Sequence, residues 1–155
     1  MKISVVSIAH KPPKWVETAC SEYLSRINND KYSCNLIDLK SNKKYVNSKL
    51  KIEEESKKIS SAVSKTSYMI ILDENGKDYN SIQFANEINK IFLEYNHITF
   101  IIGGSDGINQ NLKRSANLII KLSSLTFPHL FVKILILEQI YRAITILNNH
   151  PYHRE

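Results

Sequence analysis

The chain has 155 residues, of which 43% are hydrophobic and 23% are charged. These proportions are typical of a globular domain, and they exclude a disordered chain, a collagen-like rod and a disulfide-rich scaffold. The length suits one domain with a core and is short for two, so we expect a single domain over residues 1–155. No apolar run reaches the ~18 residues that a membrane span needs.

Basic side chains outnumber acidic ones by 21 to 15, and residues 1–60 hold 12 of the basic and 7 of the acidic side chains. A basic half indicates a polyanionic partner such as RNA, although a solvated lysine-rich surface explains it equally well. Cys20 and Cys34 have no zinc-site spacing, which favours buried thiols in a reducing compartment. The apolar start lacks a cleavage site, so we expect a first strand and a cytoplasmic protein.

Short apolar runs alternate along the chain with longer helical patterns. Residues 73–77 are predicted to form a turn, residues 41–49 a mobile loop, and Glu53, Glu54 and Glu55 a solvated helix face. In chain order, the pattern predicts strand 3–9, helix 14–28, strand 34–40, helix 48–63, strand 68–72, helix 81–95, strand 98–102, helix 111–116, strand 118–122 and helix 128–147. This alternation predicts an α/β fold, with a parallel sheet and helices on both faces.

Ligands of parallel α/β sheets bind outside the carboxyl ends of the strands. The first strand end has no glycine, and neither a dinucleotide fingerprint nor a P-loop occurs in the chain, which disfavours a flavodoxin-like nucleotide-binding protein. Gly103 and Gly104 follow the strand 98–102, where they favour either a ligand floor or a plain turn. The hydroxyl-rich loop 122–129 is the second candidate, with Leu125 and Phe127 as an apolar slot.

The last helix is apolar around nearly its whole circumference. Such a helix is buried on all sides, so we expect one side to cover the sheet and the other to contact a second copy of the protein. Lys133, Glu138 and Arg142 interrupt the pattern. Glu138 and Arg142 have a spacing of four, as an ion pair or as functional groups. His150 and His153 in the tail have metal-ligand character, but nothing completes a site and we expect no metal.

Four stretches carry a family resemblance. They are Trp15 with Glu22-Tyr23, residues 102–107 (IGGSDG), residues 122–129 (LSSLTFPH), and residues 138–143 with 149–155 (EQIYRA and NHPYHRE). Together they resemble the SPOUT class of methyltransferases and, within it, the RlmH family of ribosomal large-subunit pseudouridine N3-methyltransferases. The match covers the whole chain, and its C-terminal motif is the most specific part.

The resemblance implies a C-terminal trefoil knot, an exception to the rule against threading, and a homodimer. It implies S-adenosylmethionine as the methyl donor. The substrate would be a pseudouridine of the large-subunit rRNA in the assembled ribosome, at the intersubunit face. The implied cofactor residues are Leu72, Gly103, Gly104, Ser123, Ser124, Leu125, Thr126, Phe127 and Pro128.

The reaction needs positioning and removal of the proton on the base nitrogen N3. We expect His153 as the general base, with His129 as a second candidate or as a helix-cap contact. Arg142 and Arg154 suit a phosphate or the developing anion, and Tyr152 suits stacking on the base. A SPOUT methyltransferase of another RNA such as tRNA, and a ribosome-binding module without chemistry, remain alternatives.

Overall fold

The computed structural model describes residues 1–41 and 47–153. Five strands and five helices alternate along the chain: β1 (Lys2–Ala9), α1 (Lys14–Ile27), β2 (Ser33–Lys40), α2 (Ser48–Ala62), β3 (Tyr68–Lys77), α3 (Ser81–Glu94), β4 (His97–Ile102), α4 (Gln110–Ser115), β5 (Leu118–Ile120) and α5 (His129–Leu147). The predicted order of elements is confirmed. Most of the predicted loop 41–49, together with Arg154, lies outside the described residues.

All strand pairs are parallel, in the order β2-β1-β4-β3-β5. The strands read as near-continuous apolar runs because helices cover both faces of the sheet. Neighbouring residues of one strand, such as Val5 and Val6, are fully buried and belong to opposite faces. The fold class predicted from the alternation is therefore confirmed, while the knot stays a prediction of the resemblance.

Helices α1, α3 and α5 cover one face, where α5 packs against both of the others. Helices α2 and α4 cover the opposite face, through Ile59 and Leu112. Local signals start several helices: Asn80 and Gln83 form a capping box at α3, while prolines occupy the N-cap positions of α1 and α5. No helix among residues 1–41 and 47–153 is long and apolar enough to cross a membrane.

The turn predicted for residues 73–77 is wrong. Strand β3 continues to Lys77, with a register shift against β5 between Leu72 and Lys77, and Lys77 pairs with Ile120. An irregular stretch of strand contains the polar and glycine residues that suggested a turn, because a bulge frees them from the regular ladder. Residues 73–75 of this stretch line a cavity together with the loop that follows β5.

Candidate active site

A cavity of about 460 Å³ opens beside the carboxyl ends of β3 and β5. Its lining comes from residues 72–75 of β3, from residues 121–127 that follow β5, and from Val132 in the first turns of α5. This volume is in the range of small-molecule sites in proteins. The cavity lies where ligands of parallel α/β sheets bind.

Most of the predicted cofactor residues line this cavity: Leu72, Ser123, Ser124, Leu125, Thr126 and Phe127. Leu125, within this lining loop, is 74% exposed. The backbone amide of Leu125 donates to the Ser123 hydroxyl at 2.9 Å, so the loop is folded back on itself. Pro128 caps α5 immediately after the lining residues.

Asp73 supplies a carboxylate at the cavity wall, which the sequence reasoning did not single out. Burial by itself raises the pKa of Asp73, but the Lys113 ammonium and the backbone amide of Asn75 outweigh it and lower the pKa below its ordinary value. Lys113 Nζ lies 2.5 Å from the carboxylate, and the Asn75 amide lies 3.0 Å away. Asp73 is therefore a stable acceptor for cationic or hydroxyl groups.

Gly103 and Gly104 are not among the residues that line the cavity within the described part of the chain. A Cβ atom on Gly103 would lie 2.6 Å from Ile108 Cγ1, and one on Gly104 would collide with the Glu55 carboxylate. Gly107, at φ +90°, closes the turn by donating its amide to the Gly104 carbonyl at 3.0 Å. Packing alone accounts for these glycines, and their contact with a ligand stays a prediction.

The solvated helix face predicted for α2 is wrong at Glu55. This carboxylate is 1% exposed and accepts a hydrogen bond from the Ser41 hydroxyl at 2.6 Å. A helical period alone could not show this, because the loop after β4 covers that side of α2. Lys51, one turn earlier on α2, reaches the same loop through Asp106 at 2.5 Å.

The C-terminal segment packs on the second half of α5. Arg142 Nε and Nη2 donate to Glu138 Oε1 at 2.9 and 2.5 Å, which confirms the predicted ion pair. The Tyr152 ring lies 4.9 Å from the Arg142 guanidinium carbon, and its hydroxyl lies 3.3 Å from Glu138 Oε1. His153 Nδ1 lies 3.3 Å from Arg142 Nη1. A guanidinium only donates, so His153 Nδ1 is the acceptor in this contact.

His129 begins α5 but makes no cap contact, so the helix-cap interpretation is wrong. Its Nε2 instead lies 2.7 Å from the backbone carbonyl of Ile8 in β1. A carbonyl only accepts, so Nε2 carries the proton. The base role of His129 stays a prediction.

Within one chain, the cavity lies apart from the tail cluster, which consists of Glu138, Arg142, Tyr152 and His153. Val132 lines the cavity, whereas the tail contacts Glu138 and Arg142, which are six and ten residues further along α5. At 1.5 Å per residue, these positions are ~9 and ~15 Å from Val132 along the helix axis. Arg142, Tyr152 and His153 are therefore not assembled with the predicted cofactor loop into one pocket by a single subunit, whereas His129 directly follows that loop.

Sequence reasoning missed a second ion pair near the cavity. Lys133 in α5 is 3% exposed, and its Nζ lies 2.6 Å from Asp38 Oδ1 in β2. The signal on the helix was present, since Lys133 is one lysine in a long apolar run, whereas the side chain of Asp38 is 39% exposed on β2 and gave no such signal. No cluster of three metal-ligating side chains occurs in the part of the chain that the structure describes.

A family profile described as "Predicted SPOUT methyltransferase" matches residues 1–153. The chain is similar over its whole length to proteins called ribosomal RNA large subunit methyltransferase H. It is 42% identical over 155 residues to that of Polynucleobacter asymbioticus, 38% over 156 residues to that of Neisseria gonorrhoeae (strain ATCC 700825 / FA 1090), and 35% over 157 residues to that of Methylobacillus flagellatus. Each match covers 100% of both chains. The resemblance seen in the sequence is thereby confirmed, and the chain belongs to the SPOUT methyltransferase family.

Proposed function

We propose that this protein transfers a methyl group from S-adenosylmethionine to N3 of a pseudouridine in large-subunit rRNA. The substrate is the assembled ribosome, approached at its intersubunit face in the cytoplasm. Full-length similarity to large-subunit rRNA methyltransferases supports the rRNA substrate. Residues 1–155 act as one catalytic domain, since strands from both halves of the chain share one sheet.

One observation carries the assignment: the predicted cofactor loop and Leu72 surround a cavity at the carboxyl edge of the sheet. The lining suits S-adenosylmethionine, because Leu72, Leu125 and Phe127 offer apolar surface to a flat base. The ionised Asp73 offers an acceptor to hydroxyl or ammonium groups. When bound, this cofactor supplies a methyl group on a cationic sulfur, open to attack in line by a nucleophilic nitrogen. Gly103 and Gly104 support the site from the neighbouring strand end.

The tail cluster performs the work on the substrate base. Arg142, held by Glu138, steadies the negative charge that develops on the base carbonyls as N3 loses its proton. Tyr152 stacks on the base, and Arg154 binds phosphate. His153 accepts the N3 proton after its Nδ1 leaves Arg142, since that lone pair faces the guanidinium here.

A homodimer reconciles the two separated halves of the site. In a two-fold dimer, the tail cluster of one subunit completes the cavity of its partner. Trp15 and Phe131 support this arrangement: their rings are 5.3 Å apart, and they are 49% and 46% exposed on the α1–α5 side. Exposed aromatic pairs of this kind are typical of subunit interfaces.

The direct test measures methyl transfer from labelled S-adenosylmethionine to intact ribosomes, free subunits and naked rRNA. The Arg154→Ala and His153→Asn variants are assayed beside the wild type, and the product nucleoside is identified by mass spectrometry. We expect N3-methylpseudouridine from intact ribosomes only, and its loss in both variants. Cofactor binding without transfer to these acceptors would support another RNA such as tRNA. Absence of cofactor binding would leave a ribosome-binding module.

A further inference from the structure

Lys133 is a buried charge in an otherwise apolar stretch of α5. It is 3% exposed, and Nζ lies 2.6 Å from Asp38 Oδ1. Removing an ammonium from water is costly, and a hydrophobic side chain of similar volume often gives equal or greater stability. A gain in stability is therefore a poor explanation for the presence of this ion pair. A need to place the start of α5 accurately explains it better.

Asp38 is itself held in place by β1. The Ser7 hydroxyl donates to Asp38 Oδ1 at 2.7 Å, and Ser7 and Asp38 are paired directly across β1 and β2. One turn before Lys133, His129 Nε2 donates to the Ile8 carbonyl at 2.7 Å. Residues four apart share one face of a helix, so this face of α5 is attached at two points to the carboxyl ends of β1 and β2.

These two attachments stand next to the cavity. The lining loop, residues 121–127, runs into Pro128 and then into His129. Val132, the neighbour of Lys133, also lines the cavity from the helix. The position of the start of α5 therefore determines where the loop 121–127 ends and where the Val132 wall of the cavity lies.

We propose that Lys133 is a positioning residue for the methyl donor, acting through Asp38 and Ser7 to hold the start of α5 and, with it, the loop 121–127. This inference rests on the proposed function, because it takes the cavity as the S-adenosylmethionine site. Lys133 does not line the cavity within the described residues, so it acts through the backbone it holds rather than by contact.

The test is a double-mutant cycle with Lys133→Met, Asp38→Asn and the combined variant. Lys90→Met is the matched control, since Lys90 is an exposed lysine of α3. The dissociation constant for S-adenosylmethionine is measured by calorimetry at a temperature where circular dichroism shows each protein folded. Hydrogen exchange of the amides in residues 121–127 is compared with exchange in β1 and β4.

We expect affinity to fall about tenfold in Lys133→Met, because ordering the released loop 121–127 then opposes binding. The combined variant has no lone buried charge and should fold even if a single variant does not; it should show a similar loss, because both changes remove one contact. Exchange should rise in residues 121–127 and not in β4, which a general loss of stability would not produce.

Affinity within twofold of the wild type in the folded combined variant would overturn the inference, and so would an equal loss in Lys90→Met. A wild-type protein that binds no S-adenosylmethionine would instead overturn the proposed function, and this inference with it. Failure of this inference is thus detected in the variants, and failure of the proposed function is detected in the wild-type protein.

Discussion

Arg142 is held by Glu138 one helical turn earlier, with two guanidinium nitrogens on the same carboxylate oxygen at 2.9 and 2.5 Å. Hydrogen bonding to that carboxylate raises the pKa of Arg142 above its ordinary value. The guanidinium also faces the Tyr152 ring and His153 Nδ1. Glu138 therefore fixes the direction of the guanidinium through which α5 contacts Tyr152 and His153.

Glu138→Gln keeps the shape of this side chain and removes its charge. We expect the rate of methyl transfer to fall about 10- to 100-fold, the range for losing a hydrogen bond to a charged group. The affinity for S-adenosylmethionine should change little, because Glu138 does not line the cavity in the described part of the chain. Single-turnover transfer and calorimetry measure the two quantities.

A matched control for this variant is Glu54→Gln, which removes a carboxylate from another pair of spacing four, with Lys58 on α2. Its transfer rate should equal that of the wild type. Equal rates in Glu138→Gln and Glu54→Gln would contradict the role given to Glu138.

The ion pair between Asp73 and Lys113 should make the free energy of unfolding depend on pH. The pKa of Asp73 is lowered in the folded protein, so the pair contributes stability above the unfolded value of about 3.9. That contribution is lost as the pH falls through the folded pKa. Lys113→Met should therefore destabilise the protein at pH 7, by about 0.5–1 kcal/mol for a partly exposed pair, and much less at an acid pH where Asp73 is protonated in the folded protein.

Urea unfolding of the wild type and of Lys113→Met at the two pH values measures this difference. The exposed Lys65→Met serves as the control for charge alone. A destabilisation that stays the same at both pH values would show that Asp73 is not its source.

Gly76→Ala tests the irregular stretch of β3. A Cβ atom there would lie 2.6 Å from the backbone Cα of Ile120 in β5, and a strand backbone cannot move aside as a side chain can. We expect a loss of about 3 kcal/mol in stability and a weaker affinity for S-adenosylmethionine, because the cavity loop follows β5 directly. Thermal unfolding and calorimetry measure both effects.

Gly103→Ala is the comparison for this variant, since its new methyl group meets the side chain of Ile108 rather than a strand. It should be less destabilising. If Gly103→Ala were the more damaging change in stability, the close approach of β5 to Gly76 would not be the constraint.

Mixed dimers test whether two subunits share each site. His153→Asn damages the tail cluster, and Phe127→Ala damages the cavity loop, which Phe127 lines. In a heterodimer of the two, a shared arrangement places both lesions in one site and leaves the other site intact. Co-refolded variants should then recover about a quarter of the wild-type activity by random pairing, while each variant alone is inactive.

The same mixture stays inactive if each chain builds its own site, because every site then carries one lesion. Phe131→Asp is a second check: it should give a folded monomer in sedimentation experiments, with methyl transfer lost. A folded, active monomer would contradict the shared site.

The amino-acid sequence by itself determined the alternation of strands and helices, the two-sided burial of the sheet and the family. Apolar runs and helical periods report which residues are buried, and motifs such as IGGSDG and NHPYHRE are specific enough to identify relatives. The cavity loop was found the same way, because Leu125 and Phe127 are out of place in a solvated loop.

Only the tertiary structure decided what each buried or charged group contacts. Periodicity says nothing about partners far along the chain, so the pairing of Lys133 with Asp38, the burial of Glu55 under the loop after β4 and the continuation of β3 to Lys77 could not be read in advance. The separation of the tail cluster from the cavity could not be predicted from periodicity either. A spacing of residues along α5 becomes a distance only when the helix is built, and the proposed sharing of a site between two subunits rests on that distance.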